Sequence, residues 1–278
     1  MNELRQQFPL ADLLRLAGLA RSTFYYQLKC AKAENKHQAL QRQIRSIFAR
    51  HKGRYGYRRI TQAIRNSGRS INHKTVQRQM ALLGLKSLVR PKKYRSYKGE
   101  VGHAAANVLQ RRFEATAPKQ KLVTDVTEFN VAGEKLYLSP VMDLYNGEII
   151  AYETATRPVY QLVGNMLKKA LAKLKGDEQP LLHSDQGWQY RMPAYQRALR
   201  NKGVQQSMSR KGNCLDNAAM ESFFATLKTE FFYLNKFSTI DELRGGLKKY
   251  IHYYNHDRIK LKLKGLSPVQ YRTQPLAA

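Results

Sequence analysis

A single carboxylate, Asp125, sits inside an apolar, strand-forming run, and few folds tolerate that. The run is Leu122-Val123-Thr124-Asp125-Val126-Thr127-Glu128-Phe129. Val, Thr and Phe suit a pleated, half-buried strand, so 121–131 is expected to form one strand. A carboxylate buried there is costly unless something pairs with it, and a metal ion is the strongest candidate. Two later stretches supply further acids. One is Leu181-Leu182-His183-Ser184-Asp185-Gln186-Gly187, and the other runs from Gly212 through Asp216, Asn217 and Glu221 to Phe224. Asp125 in a strand, Asp185 at a strand end and Glu221 on a helix are expected to meet at one point.

Charge says what surrounds that point. The 278 residues carry 49 Lys and Arg against 20 Asp and Glu, a formal net charge of +29. The excess is uneven: residues 1–120 hold +21 and residues 121–278 hold +8. Such a surface repels itself unless it meets a polyanion, so a nucleic-acid partner is expected. No apolar run is long enough to span a membrane, and the N-terminus lacks a signal-type apolar core, so no membrane partner is expected. The expected location is cytoplasmic and nucleoid-associated. Cys30 and Cys214 stand far apart, which excludes a disulfide framework and a Cys-x-x-Cys zinc site.

The basic N-terminal part reads as helical. Leu10, Leu13, Leu14 and Ala17 share a helical face, Gly18 breaks the helix, and a second begins near Arg21 with Ser22 or Thr23 as N-cap. This pattern predicts a helix-turn-helix over 1–30 that presents Arg21, Ser22, Thr23 and Tyr25 to DNA. One helix is expected over 31–52. A second helix-turn-helix follows within 31–85: Arg58 and Arg59 open its first helix, and Asn72 caps a recognition helix bearing Lys74 and Arg78. Residues 86–120 read as a basic linker whose acid-free run, including Lys92 and Lys93, suits DNA phosphates.

From residue 121 the pattern becomes α/β. Strands are expected at 121–131, 135–143 and 148–153, with a hairpin at Asn146-Gly147. Helices and short strands then alternate, and a long helix begins at Asp216. The expected architecture is a mixed sheet flanked by helices over 121–235, followed by a C-terminal helix and basic tail over 236–278.

Phosphodiester chemistry needs an activated oxygen nucleophile and a stabilised leaving oxygen, which two divalent metals about 3.5–4 Å apart provide. Mg²⁺ takes oxygen ligands, so Asp125, Asp185 and Glu221 fit, and Mn²⁺ fits the same ligands. At about 100° per residue, Asn217 and Lys228 share the helical face of Glu221, while Glu230 lies on another. Lys211, in the glycine-containing loop before that helix, is expected near the reacting strand with Asn217 and Lys228. His183 alternates onto the face of Asp185, either orienting the site or simply packing. Asp143 and Glu128 read as structural acids.

These residues carry a resemblance. Thr124-Asp125-Val126-Thr127, His183-Ser184-Asp185-Gln186-Gly187-Trp188-Gln189-Tyr190 and Asp216-Asn217-Ala218-Ala219-Met220-Glu221-Ser222-Phe223-Phe224 resemble the second-frame transposases of bacterial insertion sequences. Tyr55-Gly56-Tyr57-Arg58-Arg59-Ile60 is similar to that family's helix-turn-helix module, and Tyr254-Asn255-His256-Asp257-Arg258 to its C-terminal part. The resemblance implies a ribonuclease-H-like fold, a DDE triad of Asp125, Asp185 and Glu221 that binds Mg²⁺, and action on terminal inverted repeats and target DNA. It also implies fusion to or pairing with an upstream-frame product, and since two ends must be brought together a homo-oligomer on DNA is expected. A non-catalytic regulator of transposition is the alternative. Leu122 stands where an aromatic is usual in the family.

Overall fold

The computed structural model describes residues 3–32, 36–89, 106–176, 178–210 and 217–274. Residues 1–46 and 47–278 form two compact units. In the first, α1 (Leu10–Leu16) and α2 (Arg21–Lys32) are joined by a turn in which Gly18 takes a left-handed φ of 61°. Leu14, Phe24, Leu40 and Ile44 are its buried apolar residues among those described, and Arg5 lies over the Phe24 ring. Because α2 already begins at Arg21, Ser22 and Thr23 fall inside its first turn rather than capping it. The single helix expected over 31–52 is instead the end of α2 and a separate α3 (Gln38–Arg50).

The second unit opens with α4 (Tyr57–Asn66) and α5 (His73–Leu82), which pack on each other. Asn72 caps α5 as expected, its side chain accepting from the Lys74 backbone N–H at 2.9 Å. Ile60, Ile64, Val76 and Met80 are buried on these two helices.

The sheet contains β1 (Lys121–Thr124), β2 (Thr127–Val131), β3 (Glu134–Asp143), β4 (Ile149–Ala155), β5 (Leu181–Ser184) and β6 (Gln205–Met208). β2 pairs with the first half of β3 and β1 with the second half, while β4 overlaps both halves. β1 and β2 therefore share one edge of β3, opposite β4. The strand expected over 121–131 is broken at Asp125, where the Val126 N–H turns to the Asp125 carboxylate at 2.7 Å. β1, β5 and β6 run parallel, and β3 is antiparallel to β1.

Alternation along the strands feeds two cores. On one face Val123, Phe129, Leu136 and Leu138 pack with α8 (Ala218–Glu230) and α9 (Ile240–His256). On the other, Leu122, Val141 and Leu182 pack with α6 (Tyr160–Leu171) and α7 (Pro193–Arg200). α8 is shorter than the helix expected from 216 to 232, ending at Glu230 before a 3₁₀ turn at Phe232–Leu234. The chain closes with a 3₁₀ turn at Leu261–Leu263 and α10 (Pro268–Thr273).

The described part of the expected linker, 106–120, is built into this unit. Leu109 is buried in the first core, and the backbone N–H groups of Val108 and Leu109 both donate to Ser207 Oγ on β6. Among the described residues, no helix is long and apolar enough to cross a membrane.

Candidate active site

Asp125 follows the last residue of β1, and Asp185 the last residue of β5. These strands are adjacent and parallel, with Val123 opposite His183. The two aspartates therefore occupy the same rung, on strands about 4.8 Å apart. Asp125 shares the strand face of Val123, which packs toward α8. Glu221 lies in the first turn of α8, and α8 packs on β1. The fold thus brings together the three acids singled out in the sequence.

Their electrostatics reflect this proximity. The Asp125 carboxyl is held well above the usual range, first by burial and then by the nearby charges of Asp185 and Glu221. The Val126 N–H and the Asn217 amide act in the opposite direction. Asp185 is also raised by burial, offset in part by the Gly187 N–H that donates to its Oδ1 at 2.9 Å. Tyr190, fully buried, is raised by burial and additionally by both Asp185 and Asp125. Asn217 precedes α8, and its Nδ2 donates to the Thr124 carbonyl at 3.3 Å. Its Oδ1 is buried without a hydrogen-bond partner among the described residues.

Among the described residues, no three His, Cys, Asp or Glu side chains are already closed around a metal position. The donor set still suits one. Three carboxyls, of which Asp125 is raised by the other two, all oxygen and beside an orphaned amide oxygen, are what a hard divalent cation neutralises.

His183 has a different task from the one its register suggested. Its Nδ1 lies 2.8 Å from Ser207 Oγ and its Nε2 3.1 Å from Ser209 Oγ. Ser207 Oγ already accepts two backbone N–H groups, so its own proton goes to Nδ1. The ring is then neutral, with Nε2–H donating to Ser209, whose hydroxyl donates to the Ser184 carbonyl. This relay ties β5 to β6 behind Asp185. His183→Ala is expected to cost about 3 kcal/mol of stability, from the cavity and the stranded hydroxyls, measured by thermal unfolding.

The expected DNA-contact residues are dispersed. Arg21, Ser22, Thr23 and Tyr25 lie exposed on α2, with Arg21 over the Tyr25 ring. Arg58, Lys74 and Arg78 are exposed on α4 and α5. Lys228 is half-buried over the Phe129 ring, two turns along α8 from Glu221. Lys92, Lys93 and Lys211 lie outside the described residues.

Arg59 departs from the rest. It pairs with Glu230 Oε1 at 3.0 Å, at the far end of α8 from Glu221. Arg258 also grips Glu230, Nε to Oε2 at 2.8 Å and Nη2 to Oε1 at 2.7 Å, and the Tyr250 hydroxyl donates at 3.2 Å. Arg54 donates to the Glu230 carbonyl and lies over the Tyr250 and Tyr253 rings. Sequence reasoning placed Glu230 off the catalytic face but gave it no partner. Its partners lie 28 and 171 positions away, where no local pattern points.

The family model described as an integrase core domain matches residues 115–214, and a second integrase core model matches 221–276. An HTH-like domain matches 34–93. The chain is 57% identical over 274 residues to the putative transposase InsK for insertion sequence element IS150 of Escherichia coli K12, covering 99% of this chain and 97% of that protein. It is 35% identical to the transposase for insertion sequence element IS904 of Lactococcus lactis, covering 87% of this chain and 96% of that protein. In fold, it matches a chain of the simian T-cell lymphotropic virus intasome with a TM-score of 0.52 at 15% identity, covering 78% of this chain and 72% of that one. The mixed sheet with flanking helices is thus the ribonuclease-H-like fold of integrase cores.

Proposed function

Since this chain belongs to the insertion-sequence transposases that join an HTH-like domain to an integrase core, we propose that it cleaves and joins the ends of its element at Asp125, Asp185 and Glu221. The observation that carries this reading is the shared rung of Asp125 and Asp185 facing the first turn of α8, with Asp125 raised by both other acids. These three carboxylates would hold Mg²⁺, or Mn²⁺ in its place, as a pair of ions. Bound there, the ions would activate the attacking oxygen and stabilise the leaving one.

The remaining roles fall to this chain's own groups. The Asn217 amide and the Val126 N–H favour the charged form of Asp125, against its burial and its acidic neighbours. The Gly187 N–H orients Asp185. Arg58, Lys74 and Arg78 on α4 and α5, with Arg21, Ser22, Thr23 and Tyr25 on α2, grip the duplex and set its register. Lys92 and Lys93 belong to a basic arm along the DNA phosphates, and Lys211 and Lys228 add contacts to the strand near the acids. Arg59 we assign to holding Glu230 rather than to DNA. Two ends must react together, so the working form is a homo-oligomer on DNA, with an upstream-frame product as a further partner.

The test is cleavage and joining of a labelled duplex carrying the element's end, with and without Mg²⁺. Metal-dependent products support the reading, whereas binding without product favours a regulator. Gly187→Ala sharpens the test. A Cβ at that position would lie 2.9 Å from Asp185 Oδ1 and 3.0 Å from Gln189 Oε1, displacing the carboxylate. Its Mg²⁺ requirement for cleavage is expected to rise about tenfold, with the melting temperature little changed.

A further inference from the structure

The segment after α9 alternates basic and apolar residues: Arg258, Lys260, Lys262 and Lys264 with Ile259, Leu261 and Leu263 between them. The first two basic residues are spent on the fold. Arg258 is buried against Glu230, and the Lys260 ammonium donates to the Gly147 carbonyl at 3.2 Å and lies over the Tyr254 ring. Lys262 and Lys264 are exposed, and no ion pair among the described residues engages them.

The loop that carries them is held firmly. The Lys260 N–H bonds the Leu266 carbonyl at 2.9 Å, and Leu263 is buried. Ser267 and Gln270 form a reciprocal cap at the start of α10. The tip docks on the helix-turn-helix unit, where Asn66 Nδ2 on α4 donates to the Gly265 carbonyl at 2.8 Å. Gly265 has a φ of 78°, and a Cβ there would run into the Gln62 side chain on α4. Lys264 itself is left-handed, at φ 54° and ψ 25°. An L-residue there costs about 1 kcal/mol, which a flexible surface loop would shed. On α4, Arg58 lies four residues before Gln62 and Arg65 just before Asn66, both exposed.

We propose that the 260–266 loop is a DNA-phosphate-binding site, with Lys262 and Lys264 extending the helix-turn-helix surface from the C-terminal segment. The proposal rests on the duplex-DNA reading above. A Lys contact to a phosphate releases a counterion but reads no bases. The site therefore strengthens binding to every duplex, and it links the C-terminal segment to the element that sets register.

The experiment measures duplex binding by the full chain against salt concentration, on the element's end and on a scrambled duplex. For Lys262→Ala/Lys264→Ala, the slope of log K against log salt is expected to fall by about 1.8, from about 0.9 per phosphate. At 0.1 M salt, affinity is expected to drop about 10- to 100-fold on both duplexes. Lys264→Gly is expected to lose about half of that slope while melting no lower than wild type, separating contact from folding. Lys248→Ala/Lys249→Ala, the same charge change on the exposed side of α9, is the control and is expected to leave the slope unchanged. An unchanged slope in the Lys262/Lys264 pair overturns the site and points to another acidic partner for the loop. A loss confined to the element's end, or an equal loss in the control pair, overturns it as well. If wild type shows no salt-dependent duplex binding at all, the duplex-DNA reading itself fails, a different outcome from loss of this one site.

Discussion

Glu230→Ala is expected to lower the melting temperature by about 10 °C, from a loss of about 3–5 kcal/mol. Glu230 is 3% exposed and Arg258 is 6% exposed, so removing the carboxylate strands a guanidinium where water cannot solvate it. Burial alone would raise the Glu230 carboxyl, but hydrogen bonds and charge from Arg258 and Arg59 hold it below the usual range. A folded value below the unfolded one means that this contribution is complete above the unfolded carboxyl pKa and is lost as pH falls through the folded one. The difference between wild type and Glu230→Ala should therefore be full at pH 7 and shrink under strong acid. Thermal unfolding at several pH values measures it. The same network spans α4, α8 and the C-terminal segment, so the helix-turn-helix is fastened to the helix that carries Glu221. A variant that melts normally would show that the three arginines hold nothing together.

Asp185→Asn is expected to do two opposite things. Cleavage should fall by at least about 10³-fold, since a metal ligand contributes several kcal/mol to the transition state. The metal-free protein should become more stable. Asp125 is raised by burial, by Asp185 and by Glu221, so its carboxyl contributes stability at acid pH that is lost as pH rises through its folded value. Removing the Asp185 charge relieves that loss. The melting temperature at pH 8 without metal should rise by about 3 °C, with little change at acid pH. Mg²⁺ should stabilise wild type by mass action and leave the variant unaffected. Differential scanning fluorimetry with and without Mg²⁺ reads both arms. A variant destabilised at pH 8 would mean that Asp185 is a structural acid.

The site was more legible than its support. A lone carboxylate in a β-rich run, a second after a short buried strand, and a third on a helical face with Asn217 are all local patterns, and the fold places them together. Local patterning also gave the α5 boundaries to within a residue, because Asn72 and Gly84 mark them. Most of what it missed depends on distance in sequence, the break at Asp125 being the local exception. The break at Asp125 arises because the carboxylate captures the N–H of its own neighbour, which apolar alternation does not register. Residues 106–120 looked like linker because their backbone is satisfied by Ser207, about a hundred positions away. His183 shares a strand face with Asp185, yet both its ring nitrogens are taken by serines. Arg59 and Arg58 look alike in sequence, and only the buried Glu230 tells them apart.

Cleavage of an end-labelled duplex in Mg²⁺ by wild type and Glu221→Gln, side by side, tests the central claim most directly. Glu221 is the acid contributed by a helix rather than the sheet, so its role depends on α8 docking as described. Mg²⁺-dependent products from wild type, with none from Glu221→Gln at equal DNA binding, are the predicted result. Equal cleavage by both proteins would contradict a site built from Asp125, Asp185 and Glu221.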